Sequence, residues 1–313
     1  MLNESARGVY VIAVTPFDDR GALDLDSTDR LIDFYAKAGV DGITILGMMG
    51  EAPKLAHEES VAFARRVIAR AGTLPVVVGV SAPGLAPMAA LTRAVMDIGA
   101  AGVMIAPPGN LKGDDGIVGY FQTCVEAIGG VPFALQDFPL ANGLYIPVPV
   151  IERVVATCPT CVMLKHEDWP GLDKISAVRT CESGGMRRLS ILAGNGGVFL
   201  PFELERGADG AMTGYAFPEM LVEVCRLTAA GRRTAAHDLF DAHLPLVRYE
   251  QQPVVGLGVR KYILKRRGAI ANDAQRKPGA RVSRQTAAEV DFMLDRLDRR
   301  FADAQREHRR AAS

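Results

Sequence analysis

The sequence is short of cysteine and histidine, has no excess of either charge and contains no long apolar run, and each shortage removes a class of protein. Five cysteines (Cys124, Cys158, Cys161, Cys181 and Cys225) are an odd number without framework spacing, so no disulfide scaffold is expected. The N-terminal stretch MLNESARG also lacks the basic-then-apolar pattern of a signal peptide, and together these features point to a reducing, cytoplasmic setting. CPTC, residues 158–161, has the spacing of a redox or zinc pair, but no second pair follows it and it reads as structural. Five histidines with no H-E-x-x-H or comparable cluster give a metal site no support, and neither metal nor cofactor is expected. Lys plus Arg total 36 and Asp plus Glu total 36, so no overall field favours nucleic acid or an anionic membrane. No apolar run approaches the roughly 20 residues needed to cross a bilayer. What remains is a globular chain of 313 residues, 49% hydrophobic, whose expected partners are small molecules.

Short apolar runs rich in β-branched residues recur along the chain. They fall at 9–15, 42–47, 75–80, 102–107, 132–137, 161–166, 189–194 and 210–214. Amphipathic stretches separate them, among them 26–39, 57–72 and 86–102, each closing on a glycine suited to a helix C-cap. Several of the strands are apolar almost throughout, as in a parallel sheet covered on both faces. Strand then helix, repeated eight times, predicts an α/β fold of the (β/α)8 TIM-barrel type over residues 1–230. An open doubly wound sheet is the alternative, but no G-x-G-x-x-G follows the first strand. Residues 231–313 predict a helical extension packed on the barrel, with helices at 232–251, 254–268 and 283–310. Acids interleave the arginines near its end, which makes that stretch a solvated helix face and not a nucleic-acid tail.

The sixth apolar run, CVMLKH, ends on a lysine followed by His166, Glu167 and Asp168. Active sites of barrels lie at the C-terminal ends of strands, and Lys165 is at that end. Period-two alternation places Met163, Lys165 and Glu167 on one face and turns Leu164 and His166 towards the helices. An ammonium inside a barrel is costly, so its pKa is expected to fall, and a neutral amine can attack a ketone to form a Schiff base. The competing reading is a structural lysine paired with a buried carboxylate such as Glu167. A second stretch, LGMMGEAPKL at 46–55, follows the second strand, and backbone amides at such a turn can converge on an anion; a tight turn alone would also explain its glycines.

The combination resembles the dihydrodipicolinate synthase and N-acetylneuraminate lyase family of class I aldolases and dehydratases. The likeness runs from GVYVIAVTPF through GMMGE, LQDFP, LKHED, AGNGG and GADGAMTG into the helical extension. By that resemblance Lys165 forms an imine with a 2-oxo acid, and the amides of Gly47, Met48 and Met49 hold its carboxylate. Gly194 of AGNGG and Thr213 of GADGAMTG are further substrate-binding positions it implies. It also implies a homo-oligomer, a tetramer or dimer.

The chain departs from the family pattern where the chemistry is tuned. Members usually read G-T-T-G-E, whereas Met48 and Met49 stand here in place of both threonines. A tyrosine that shuttles protons is replaced by Gln136, whose amide does not titrate. The arginine that grips a second carboxylate in the synthase falls at Ala141, and PPGN at 107–110 replaces an aromatic pair. These departures resemble the 2-keto-3-deoxy-L-arabonate dehydratase branch, in which the acid two residues after the lysine, here Glu167, does the proton work. The expected catalytic set is therefore Lys165, Glu167 and Gln136, with Asp137 a weaker candidate because Gln136 takes the inward position. Dehydration of a 2-keto-3-deoxy sugar acid is the expected reaction. Aldol cleavage releasing pyruvate or a synthase-type condensation is the alternative, and two readings from other classes are an inactive 2-oxo-acid-binding barrel and a metal-dependent aldolase.

Overall fold

The computed structural model describes residues 1–169 and 171–311, with side chains as far as residue 302. Eight parallel strands close into a barrel in sequential order. They are β1 (Gly8–Ile12), β2 (Gly42–Ile45), β3 (Val76–Gly79), β4 (Gly102–Ile105), β5 (Phe133–Asp137), β6 (Cys161–His166), β7 (Ser190–Ala193) and β8 (Gly210–Ala211). Between and after them run α1 (Leu25–Ala38), α2 (His57–Ala71), α3 (Leu85–Asp97), α4 (Gly113–Ile128), the single turn α5 (Pro139–Asn142), α6 (Val148–Thr157), α7 (Leu172–Ser183), α8 (Leu200–Glu205) and α9 (Pro218–Ala229). The chain ends with α10 (Arg233–Glu250), α11 (Gly256–Arg266) and α12 (Arg284–Ala311). This is the (β/α)8 architecture expected from the strand repeat, with the helical C-terminal segment in place. Some ends fall short of expectation: β1, expected to 15, stops at Ile12, β8, expected to 214, stops at Ala211, and the helix expected over 86–102 ends at Asp97. The Gly99 amide bonds back to Met96 and the chain turns there at φ 99°, which frees Gly102 to open β4.

Alternation along the strands builds two apolar layers. Tyr10, Ile12, Val77, Met104, Ala134, Met163, Leu192 and Met212 fill the barrel interior, which Leu2 joins. Val9, Val11, Ile43, Ile45, Val78, Val103, Ile105, Leu135, Leu164 and Ile191 face the helices. The register of β5 against β6 slips between Phe133 and Ala134, whose partners are Cys161 and Met163. The extra residue, Val162, is why both Cys161 and Leu164 belong to the outer layer although they are an odd number of positions apart. Downstream of the slip, Lys165 pairs with Gln136 and both point inward. Cys158 and Cys161 are buried free thiols, and burial pushes Cys161 up to about 12, so these cysteines pack as core residues.

The terminal helices are fastened to the barrel by buried charge. Glu51, at φ 56° after the β2 turn, accepts from Lys261 of α11 at 2.6 Å and from Lys54 at 2.9 Å. The Arg276 amide also donates to Glu51, at 3.1 Å, while the Arg276 guanidinium binds Glu59 and the carbonyl of Gly21. Lys261 has no exposed side-chain surface, and burial lowers its pKa against the pull of Glu51. Removing one partner of such a pair leaves a charge that burial penalises. Lys261→Met should therefore lower unfolding free energy by about 3 kcal/mol in urea titrations, and a loss below about 1 kcal/mol would show that Lys54 suffices for Glu51.

Candidate active site

The C-terminal ends of the strands open into a cavity of about 720 Å3. Its base holds Lys165 of β6 and Gln136 of β5, with Glu167 just beyond the strand and Thr213 just beyond β8. Its rim comes from Met48 and Met49, from Leu140 and Ala141 of α5, from residues 251–254 between α10 and α11, and from Pro278, Gly279 and Ala280. The terminal segment thus covers the mouth of the barrel, and Glu250 and Arg260 line the cavity as well.

Lys165 Nζ lies 3.0 Å from Glu167 Oε2, and each side chain is 7% exposed. The two share a face because they are two positions apart and the extended path continues past β6, where the Glu167 amide bonds to the Asp137 carbonyl. Gln136 Nε2 donates to the same Oε2 at 2.6 Å. Asn195 holds the other side of this segment, its Nδ2 donating to the Glu167 carbonyl at 2.7 Å. A lone pair of Glu167 thus faces an amine while an amide that cannot titrate fixes its orientation.

The other expected positions divide between the cavity and its supports. Met48 and Met49 begin a 3₁₀ turn (Met48–Gly50) behind Gly47, and among the described residues the amides of Met48 and Met49 have no acceptor. Gly47 supports that turn from within, beside Met104. Gly194 is buried under Glu167: a Cβ there would sit 2.1 Å from Glu167 Cγ, and Asn195 and Gly196 reach the cavity in its place. Asp137 points outward to Lys174 at 2.6 Å, and Lys174 also reaches Asp168 at 3.2 Å. His166 faces the helices too, its Nε2 3.0 Å from the Gly171 carbonyl. Ala141 lines the cavity without offering a charge. Among the described residues no three His, Cys, Asp or Glu side chains converge as a metal-binding group.

Sequence reading missed Asn195, Glu250 and Arg260. Asn195 had a signal: an asparagine ahead of two glycines tolerates the left-handed backbone, and its φ is 48°. Glu250 and Arg260 had none, because they lie on terminal helices whose docking is a tertiary event.

A model of the dihydrodipicolinate synthetase family matches residues 5–297. The chain belongs to that family. L-2-keto-3-deoxyarabonate dehydratase of Azospirillum brasilense is 29% identical to it over 296 residues, 93% of this chain and 94% of the relative. The 4-hydroxy-tetrahydrodipicolinate synthase of Thiobacillus denitrificans is 31% identical over 246 residues, 77% of this chain and 81% of the relative. A crystal structure of dihydrodipicolinate synthase from Rhodopseudomonas palustris superimposes with a TM-score of 0.93 at 56% identity, covering 94% of this chain and 99% of that one. The dihydrodipicolinate synthetase family thus joins dehydratases and synthases on one scaffold, and its members are aldolase- and lyase-type enzymes. Family membership alone leaves the reaction open.

Gly194→Ala should push the Glu167 side chain aside without touching Lys165. A crystal structure of that variant should place Glu167 well beyond 3.0 Å from Lys165 Nζ; an unmoved ion pair would show that strand β7 yields instead.

Proposed function

We propose that this member of the family is a Schiff-base lyase that dehydrates a 2-keto-3-deoxy sugar acid. The observation that carries the proposal is the buried contact of 3.0 Å between Lys165 and Glu167 at the end of β6, inside the cavity. A buried ammonium beside a carboxylate can pass its proton to that carboxylate, and the amine so freed can attack a ketone, whose departing oxygen then takes the proton back from the acid.

In this reading the Lys165 amine adds to C2 of the 2-oxo acid, and loss of the ketone oxygen as water gives an iminium. The free amides at Met48 and Met49, with Gly47 behind them, face the substrate carboxylate. Glu167 takes a proton from C3, and the electron pair of that C–H bond forms the enamine. The enamine expels the C4 hydroxyl, which leaves as water with the proton that Glu167 returns. Hydrolysis of the remaining imine consumes one water and frees Lys165, so the cycle removes one water from the substrate overall. Gln136 keeps Glu167 aimed at C3 through its hydrogen bond of 2.6 Å. Asn195 and Thr213 line the cavity beside it.

Dehydration is favoured over synthase chemistry because the residues that condensation needs in the family are replaced. Gln136 cannot relay a proton, Met48 and Met49 bring no hydroxyl, and Ala141 offers no cation to a second carboxylate. Overall likeness does not choose between the two, since the Azospirillum dehydratase is 29% identical and the Rhodopseudomonas structure, described as a dihydrodipicolinate synthase, is 56% identical, so the choice rests on these replaced residues. Assembly as a tetramer or dimer belongs to this reading through the family, and sedimentation would measure it.

Borohydride reduction in the presence of pyruvate, followed by mass spectrometry of the peptide carrying residue 165, should reveal an adduct that Lys165→Ala abolishes. Glu167→Gln should retain the adduct while slowing dehydration by about 10²- to 10⁴-fold. An adduct on another lysine, or an undiminished rate in Glu167→Gln, would contradict the assignment.

A further inference from the structure

Arg260 is a buried cation of the cavity that leaves most of its donors unused. It is 2% exposed, and its Nε donates to Glu250 Oε2 at 2.9 Å. Among the described residues neither terminal nitrogen has an acceptor, and Nη1 is cut off from solvent. A guanidinium carries five N–H donors, so most of this one's capacity is unspent, and at Nη1 it is also buried, a costly arrangement unless something completes it. The fold makes deliberate room for the group. Gly214, which lines the cavity after β8, lies so close that a Cβ there would sit 2.1 Å from Arg260 Nη1. Glu250 is held in turn by the Ala216 amide at 3.0 Å, so the pair is anchored to the loop between β8 and α9.

The charge balance of the cavity indicates what completes it. Its lining contains three Lys and Arg side chains, Lys54, Lys165 and Arg260. Each already has a carboxylate within reach: Glu51 at 2.9 Å, Glu167 at 3.0 Å and Glu250 at 2.9 Å. Lys54 shares Glu51 with Lys261, so positive charge is in excess at that edge of the cavity, whereas beside Arg260 an extra anion would meet Glu250. A neutral oxygen fits, because it accepts a hydrogen bond without adding charge. Gln251, Gln252 and Gln275 line the same part of the chain's covering segment and offer amides that both donate and accept.

We infer that Arg260, positioned by Glu250 and given room by Gly214, binds the hydroxyl-bearing tail of the substrate and selects a 2-oxo acid whose far end is an uncharged polyol. The inference rests on the Schiff-base reading of Lys165, since the tail is defined relative to the carbon bound there. It assigns to α11 a share in specificity, a task that neither the strand ends nor the 47–49 turn performs.

Imine trapping separates the two. The rate of borohydride trapping on Lys165 would be measured against concentration for pyruvate, which has no tail, for a 2-keto-3-deoxypentonate and for 2-oxoadipate, which ends in a second carboxylate. In the wild-type protein the pentonate should half-saturate at a lower concentration than 2-oxoadipate. In Arg260→Met the half-saturating concentration of the pentonate, divided by that of pyruvate, should rise tenfold or more. Arg260→Lys keeps the charge but loses the fork, so it should raise the same ratio by a smaller factor, and it stands in if the methionine variant does not fold. An unchanged ratio in a folded variant that still traps pyruvate would overturn the role of Arg260 alone. No adduct on Lys165 of the wild-type protein with any of the three acids would overturn the Schiff-base reading and this inference with it.

Discussion

Lys165 and Glu167 are withdrawn from water within 3.0 Å of each other, and much of the surrounding chain serves to keep them there. Burying either charge alone would be penalised heavily, so the pair stands or falls together. Gln136 reaches across from β5 to hold the carboxylate, and Asn195 fixes the backbone behind it. The missing side chain at Gly194 supplies the space in which Glu167 lies. The slip at Val162 lets β6 bury Cys161 and Leu164 outside the barrel while still delivering Lys165 to its interior. Each feature is modest in itself, and their common effect is a carboxylate with one oxygen shared between an amine and an amide.

A second set of buried charges relates the barrel to the terminal helices. Glu51 follows the turn that begins at Gly47, and it binds Lys54, Lys261 and the Arg276 amide. The same residues that shape the turn therefore also draw α11 across the barrel mouth. Arg260 precedes Lys261 in α11, so the fastening that docks the helix also sets Arg260 beside Gly214. Stability and site geometry share one set of contacts here, which is why a substitution remote from Lys165 can alter the cavity.

The barrel was legible because its signal is periodic and local. Eight β-branched runs alternate with amphipathic helices, and each strand begins within one residue of its expected position. The pairing of Lys165 with Glu167 was legible for the same reason, since a spacing of two on an extended strand needs no tertiary knowledge. Less could be read where backbone turns decide. Gly194 reads as a cavity residue from its motif, yet it is packed beneath Glu167, because a glycine marks close approach without saying what approaches. The end of α3 at Asp97 is hard to read because a run of small residues, Gly99 to Gly102, suits either a helix end or a strand start. Glu250 and Arg260 could not be located from sequence, since their neighbours Gly214 and Ala216 lie in the loop between β8 and α9, and only docking brings them together.

The central claim is that Lys165 and Glu167 act as one unit, the amine forming an imine and the carboxylate moving the adjacent carbon-bound proton. Proton NMR of pyruvate incubated with the protein in D2O tests that claim without requiring the natural substrate. Imine formation followed by proton removal at C3 exchanges methyl hydrogens for deuterium. The account predicts that the pyruvate methyl signal decays far faster with the wild-type protein than with Lys165→Ala or Glu167→Gln. A signal that decays no faster than in buffer, or equally fast in all three proteins, would contradict it and leave the ion pair at the end of β6 as a structural contact.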